Sequence, residues 1–106
     1  MATIAKLNDA FRSRFIGGRV MLTRAINALP RDLQMRIIAK VQTFDSFTAD
    51  NDPHGEHDMG SFLLEGQRVM WKIDYYDASD PDYGSDDPAD PNKTLRVLTI
   101  MLASDY

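Results

Sequence analysis

An α+β fold, a two-layer sandwich with two main helices on one face of an antiparallel sheet of about four strands, is what this 106-residue chain predicts. Three observations carry that expectation. Apolar residues recur at helical spacing in two early segments, and at alternating spacing in several later ones. A long stretch rich in aspartate and proline then separates the two longest alternating runs, as a loop at one end of a sheet would.

Taken in order, Ile4, Leu7, Phe11 and Phe15 fall on one helical stripe. Lys6, Asp9, Arg12 and Arg14 lie off it, and Gly17-Gly18 is read as its end. "RVMLT" places Val20 and Leu22 on one face of a short strand, and "TRAINALP" reads as a helical turn closing before Pro30. From Arg31 a second long helix carries Leu33, Ile37, Val41 and Phe44 on one side, with Asp32 spaced to support Arg36. "SFLLE" puts Phe62 and Leu64 on one face, and "EGQR" reads as a tight hairpin turn with Gly66 first. "RVMWKIDYYD" then alternates, with Val69, Trp71, Ile73 and Tyr75 inward and Met70, Lys72, Asp74 and Tyr76 outward. Residues 78–93 hold three prolines and five aspartates and can only be a loop. "TLRVLTIMLA" is apolar on both faces, the mark of a central strand. The element order is α-β-α-β-β-β, in a single domain spanning 1–106.

A hydrophobic content of 43% is enough for a real core, so disorder is not expected. The absence of cysteine excludes a disulfide framework and a thiolate metal cage. "MATIAKLNDAFRSRF" lacks the continuous apolar core of a signal peptide, and no apolar run approaches membrane-spanning length. A cytoplasmic protein is the expectation. The net charge of −4 conceals a split. Residues 1–44 carry eight Lys/Arg against Asp9 and Asp32, a net of +6, whereas residues 45–106 carry a net of −10. Either the halves neutralise each other or one face meets a charged partner.

The blocks "LNDAFR", "NDPHGEHDMG", "WKIDYYD" and "RVLTIMLASDY" resemble a bacterial family catalogued as domain of unknown function 3768. The resemblance runs over nearly the whole chain. The family pattern reads NDPxGEHDFG, so Met59 stands where phenylalanine is usual and position 54 is tolerant. The resemblance implies bacterial, mobile-element company such as plasmids and phages. It implies no activity, and no catalytic residue carries over. A helix pair followed by three antiparallel strands is also similar in architecture to bacterial ribonuclease and gyrase-directed toxins, a likeness that does not determine function.

"NDPHGEHDMG", residues 51–60, is the densest polar stretch. Imidazole and carboxylate suit zinc, manganese or iron, which makes Asp52, His57 and Asp58 candidate metal ligands, with His54 a further one. His57, flanked by Glu56 and Asp58, is the chain's best candidate for general acid/base work. Against this, Asp52-Pro53-His54-Gly55 has the residues of a type I turn. Turn chemistry favours a shaped polar corner over a reaction centre. No serine has a histidine and an acid at motif spacing, and no glycine-rich phosphate loop is present. No cofactor is implied, and enzymatic activity is the weaker expectation.

The acidic run is the other candidate. Asp74, Asp77, Asp80, Asp82, Asp86, Asp87 and Asp90 lie in seventeen residues without a Lys or Arg, and Tyr76 lies among them. Spaced carboxylates can mimic nucleic-acid phosphates and occupy a Lys/Arg groove on another protein, while nucleic acid itself is repelled. The spacing does not fit an EF-hand. The expected function is therefore a non-enzymatic acidic binding protein that engages a basic site on a nucleic-acid-handling protein. Its most concrete form is an anti-CRISPR-like inhibitor of host defence. The alternatives are a metal-dependent or His-based enzyme at the NDPHGEHD loop, and a toxin-like RNA or ribosome binder using Arg12, Arg14, Arg36 and Lys40.

Overall fold

The computed structural model describes residues 3–106; Met1 and Ala2, which open the segment read above for a signal peptide, lie outside the described residues. Helix α1, Ile4–Arg14, starts where the Thr3 hydroxyl accepts the Lys6 N–H at 3.1 Å. It ends earlier than the glycine pair suggests. Phe15 itself takes a left-handed backbone (φ 58°) and its N–H closes on the Phe11 carbonyl. Strand β1 is Arg19–Leu22, the short α2 is Arg24–Asn27, and α3 is Arg31–Gln42. Strands β2 (Met59–Leu64), β3 (Gln67–Asp77) and β4 (Thr94–Leu102) follow, and a 3-10 turn at Ala103–Asp105 comes after them.

These elements form the two-layer α+β arrangement, with one four-stranded sheet in the order β1-β4-β3-β2. Pairing is antiparallel between β2 and β3 and between β3 and β4. At the far edge β1 runs parallel to β4, so the sheet is mixed rather than wholly antiparallel. The cause is α3. A helix of twelve residues carries the chain back over the sheet between β1 and β2, so both strands start from the same end. Alternation within a strand carries no information about direction.

Phe11, Ile26, Ile37, Val41, Val69, Trp71, Ile73, Leu98 and Ile100 form the core between the layers, each fully buried aliphatic contributing roughly 1.5–3 kcal/mol. β4 is central and buried on both faces, with Val97 and Met101 covered on the side away from the helices. A close approach at Gly60 makes room for Trp71: a Cβ there would lie 2.6 Å from the indole Nε1 and 2.8 Å from the Phe44 ring. The hairpin turn differs from the sequence reading in register. Leu64 pairs with Gln67, leaving Glu65 (φ 50°) first and Gly66 (φ 76°) second. Two left-handed residues match the right-handed twist of the strands they join.

Candidate functional site

The NDPHGEHDMG segment folds into a capped corner. The Gly55 N–H donates to the Asp52 carbonyl at 3.1 Å, closing the turn. The Asp52 carboxylate is nearly buried and accepts the N–H groups of Glu56 at 3.1 Å and His57 at 3.2 Å. That double acceptance holds His57 in a left-handed backbone (φ 54°), a conformation rare for a residue with a side chain. Before the turn, Asn51 accepts the Thr48 N–H and donates to the Ser46 carbonyl.

The His57 side chain finds carboxylates other than its sequence neighbours. Its Nδ1 lies 2.9 Å from Asp9 on α1, and its Nε2 lies 3.6 Å from Asp52. The ring stacks flat on Phe47, with centroids 3.9 Å apart and planes 2° from parallel. Asp58 joins the sheet through its backbone, its carbonyl accepting the Ile73 N–H at 2.7 Å. His54 sits exposed at the tip and makes no hydrogen bond among the described residues. Asp52, His57 and Asp58 thus do not converge as a ligand set. Among the described residues no group of three or more His, Cys, Asp or Glu side chains is arranged to hold a metal ion.

Beside this corner an open cavity of about 440 Å³ is lined by Asp9, Arg12, Ser13, Phe44, Phe47 and His57, among others. Arg12 was expected off the buried stripe, yet it is only 4% exposed. Its guanidinium donates to the carbonyls of Val41 and Phe44 and to Asp9, and lies 4.9 Å from the Trp71 ring. Burial lowers its pKa, with Asp9 opposing the shift. A buried arginine spent on internal carbonyls cannot serve a nucleic-acid surface, and Arg36 is tied to Glu65 at 2.9 Å. Arg14 and Lys40 remain exposed.

The acidic loop is a folded object built on aspartate-capped turns. Asp77 Oδ1 accepts the Ser79 N–H and hydroxyl and the Asp80 N–H, which together lower the Asp77 pKa. Asp80 accepts the Asp82 N–H, and Asp90 accepts the Asn92 N–H. Backbone bonds from Asp77 to Tyr83, from Ala78 to Lys93 and from Ser85 to Tyr75 pin the loop to the ends of β3 and β4, and Tyr76 forms a bridge with Gly84. Asp80, Asp82, Asp86 and Asp87 are exposed, and the carboxylates of the last three accept no hydrogen bond among the described residues. Tyr83 stands 68% exposed beside them. Asp74 differs from the rest: Lys72 pairs with it at 2.8 Å across the outer face, and that hydrogen bond raises the Lys72 pKa.

A buried polar chain, which the sequence reading missed, connects the two segments. Asn8 is fully buried on α1 and donates to the Glu56 carbonyl at 2.9 Å and to the Tyr75 hydroxyl at 2.8 Å. Its side-chain oxygen accepts from Arg96 Nε at 2.7 Å. Arg96 in turn donates to the Pro88 carbonyl inside the acidic loop and lies over the Tyr75 ring. Burial lowers the Arg96 pKa and pushes the Tyr75 hydroxyl up to about 12. The signal available in the sequence was a polar Asn next to Leu7 in "LNDAFR", close to the apolar stripe of the first helix, and an arginine inside an otherwise apolar strand.

The family model described as protein of unknown function (DUF3768) matches residues 22–105. The chain belongs to this family. The matched span holds the corner and the acidic loop of this DUF3768 chain, whereas α1, with Asn8, Asp9 and Arg12, precedes it, so the match is narrower than the resemblance read from the sequence blocks. No curated protein and no solved structure matches the chain. Among the described residues no helix is long and apolar enough to cross a membrane.

Proposed function

We propose that this DUF3768 chain is a non-enzymatic binding protein whose acidic loop engages a basic groove on a nucleic-acid-handling protein. The observation that carries the reading is the exposed set Asp80, Asp82, Asp86 and Asp87 around exposed Tyr83, on a loop with its own hydrogen-bond frame. Carboxylates on a pre-ordered loop lose less conformational entropy on binding than the same residues on a free chain. An aromatic residue inside a charged patch is the usual anchor of such a contact. In its most concrete form the partner is a nucleic-acid-binding component of host defence, blocked by mimicry of phosphate charge.

The test is capture from nuclease-treated bacterial lysate, parent beside a variant with Asp80, Asp82, Asp86 and Asp87 changed to Asn. Asparagine keeps the Oδ1 acceptor that caps the Asp80 turn, so the variant removes charge and leaves the loop fold in place. The expected result is a basic, nucleic-acid-handling protein held by the parent, released by salt and absent from the variant. Identical proteins on both baits would remove the charge-mimic reading.

A His-based enzyme is the second reading, favoured by one observation: Asp9 orients His57 beside an open cavity. It ranks second because both ring nitrogens lie near carboxylates and one ring face is covered by Phe47. Ser13, the one serine among the described residues lining that cavity, donates its hydroxyl to the Ala10 carbonyl.

A further inference from the structure

The two edges of the sheet are unlike. β1 is four residues long, opens on exposed Arg19 and follows directly from Gly17-Gly18. Short, charged edges resist pairing with another chain. β2 has none of these protections. Met59–Leu64 contains no charge and no proline, and its register with β3 runs through six residues without a bulge. The bond from the Ile73 N–H to the Asp58 carbonyl sets the phase of that ladder. Gly60, Phe62 and Leu64 therefore turn their backbone groups to β3, and Met59, Ser61 and Leu63 turn theirs to the open edge.

The side chains of the same three residues point away from the helices, and two are exposed apolar groups: Met59 at 37% and Leu63 at 58%. Cavities flank the edge on both sides. One, of about 240 Å³, is lined by Lys40, Thr43, Asp45, Ser46, Ser61 and Phe62. The other, of about 390 Å³, is lined by Asp50, Pro53, Met59, Ser61 and Met70, among others. An edge strand between two hollows is the form that accepts an added strand, with alternate side chains entering each side.

We infer that β2 is a self-association edge, at which a second copy of this chain adds its own β2 antiparallel across a two-fold axis. The register follows from the residues. Centring the axis on Ser61 sets Met59 opposite Leu63 of the second copy, twice, so each exposed apolar side chain meets the other kind. It also brings together the backbone groups that face the open edge in both copies. Charge agrees with that orientation. The Leu64 end of β2 carries Arg68 and Arg36 against Glu65, with Lys40 over Phe62, while the Met59 end carries Asp50 and Asp58, its cross-strand neighbour Lys72 being paired with Asp74. Antiparallel pairing lays the basic end of each copy on the acidic end of the other. The acidic loop stays uncovered, because β2 pairs with β3 only as far as Lys72 and the loop begins beyond Asp77. The interface is thus independent of the proposed binding face.

The experiment measures mass by light scattering across a concentration series, with amide hydrogen exchange on the same samples. The parent is expected to be dimeric at the upper concentrations, with the Met59, Ser61 and Leu63 amides protected there and exchanging freely on dilution. Leu63→Lys places a charge at an exposed position and is expected to be monomeric with an unchanged circular dichroism spectrum. Ser61→Pro removes an edge donor that faces away from β3 and has no acceptor among the described residues, and is expected to do the same. A parent that stays monomeric throughout overturns the inference. So does a dimer in which those three amides exchange freely.

Discussion

Replacing Asn8 with alanine tests the buried polar chain that joins the corner to the acidic loop. Asn8 is fully buried and meets three partners: the Glu56 carbonyl, the Tyr75 hydroxyl and Arg96 Nε. Alanine removes all three contacts, while the partners stay where they are. Each buried group left unsatisfied costs about 1–3 kcal/mol, with the charged guanidinium at the upper end. Tyr75 and Glu56 are only half-buried and can recover water, so the expected loss is about 3–4 kcal/mol, a large part of the 5–15 kcal/mol typical of a domain. Urea unfolding followed by the fluorescence of Trp71, the chain's one tryptophan, reads it directly. A cycle with Arg96→Met separates the pair from its surroundings. The double variant is expected to be more stable than the sum of single losses by about 1–2 kcal/mol, because the Nε–H left without its Asn8 acceptor is gone. Amide exchange in residues 78–93 is expected to rise in both single variants, since Arg96 holds the Pro88 carbonyl. A loss below about 1 kcal/mol in Asn8→Ala, or additivity within about 0.5 kcal/mol, would refute the network as a structural element.

Two further outcomes follow from the same geometry. The Tyr75 hydroxyl, raised to about 12, binds its proton more tightly folded than unfolded, so its contribution to stability is intact below about pH 10 and lost as pH climbs towards 12. Tyrosinate absorbance is expected to show a late phase near pH 12 that Tyr75→Phe abolishes; a high-pH titration unchanged in Tyr75→Phe would contradict the burial argument. Asp52→Ala strips two backbone N–H groups of their acceptor and leaves His57 in an unsupported left-handed backbone, for a cost of about 2–3 kcal/mol. Asp58→Ala, whose carboxylate bonds nothing among the described residues, is expected to stay within about 0.5 kcal/mol of the parent by thermal unfolding, and equal losses in the two would undo the capping assignment.

Local features of the fold were legible because their causes are local. The stripe through Leu7 and Phe11, the alternation through Val69, Trp71 and Ile73, and the Asp-Pro-x-Gly turn each depend on residues a few positions apart. The half of the site that comes from α1 was not legible. Asp9 lies 48 residues before His57 in sequence, and Asn8 lies 88 before Arg96. Nothing in the spacing of either pair signals that a helix packs its polar shoulder against a corner and a strand. Arg12 escaped for a related reason. A side chain with a long apolar stem and a charged end is placed by the carbonyls it can reach, and those of Val41 and Phe44 come within reach only when α1 packs beside α3.

By itself, then, the sequence determined the layer architecture, the inward faces of the strands, the shape of the 52–55 turn and the concentration of negative charge between the last two strands. Tertiary structure alone decided the direction of β1 and the choice of Asp9 and Asp52 as the carboxylates around His57. It alone decided that the acidic loop is held by Arg96, and which edge strand is left bare. The physical reason is range. Periodicity and turn chemistry act over one or two turns of chain, whereas buried hydrogen bonds and strand order are settled by which distant surfaces meet when the core closes.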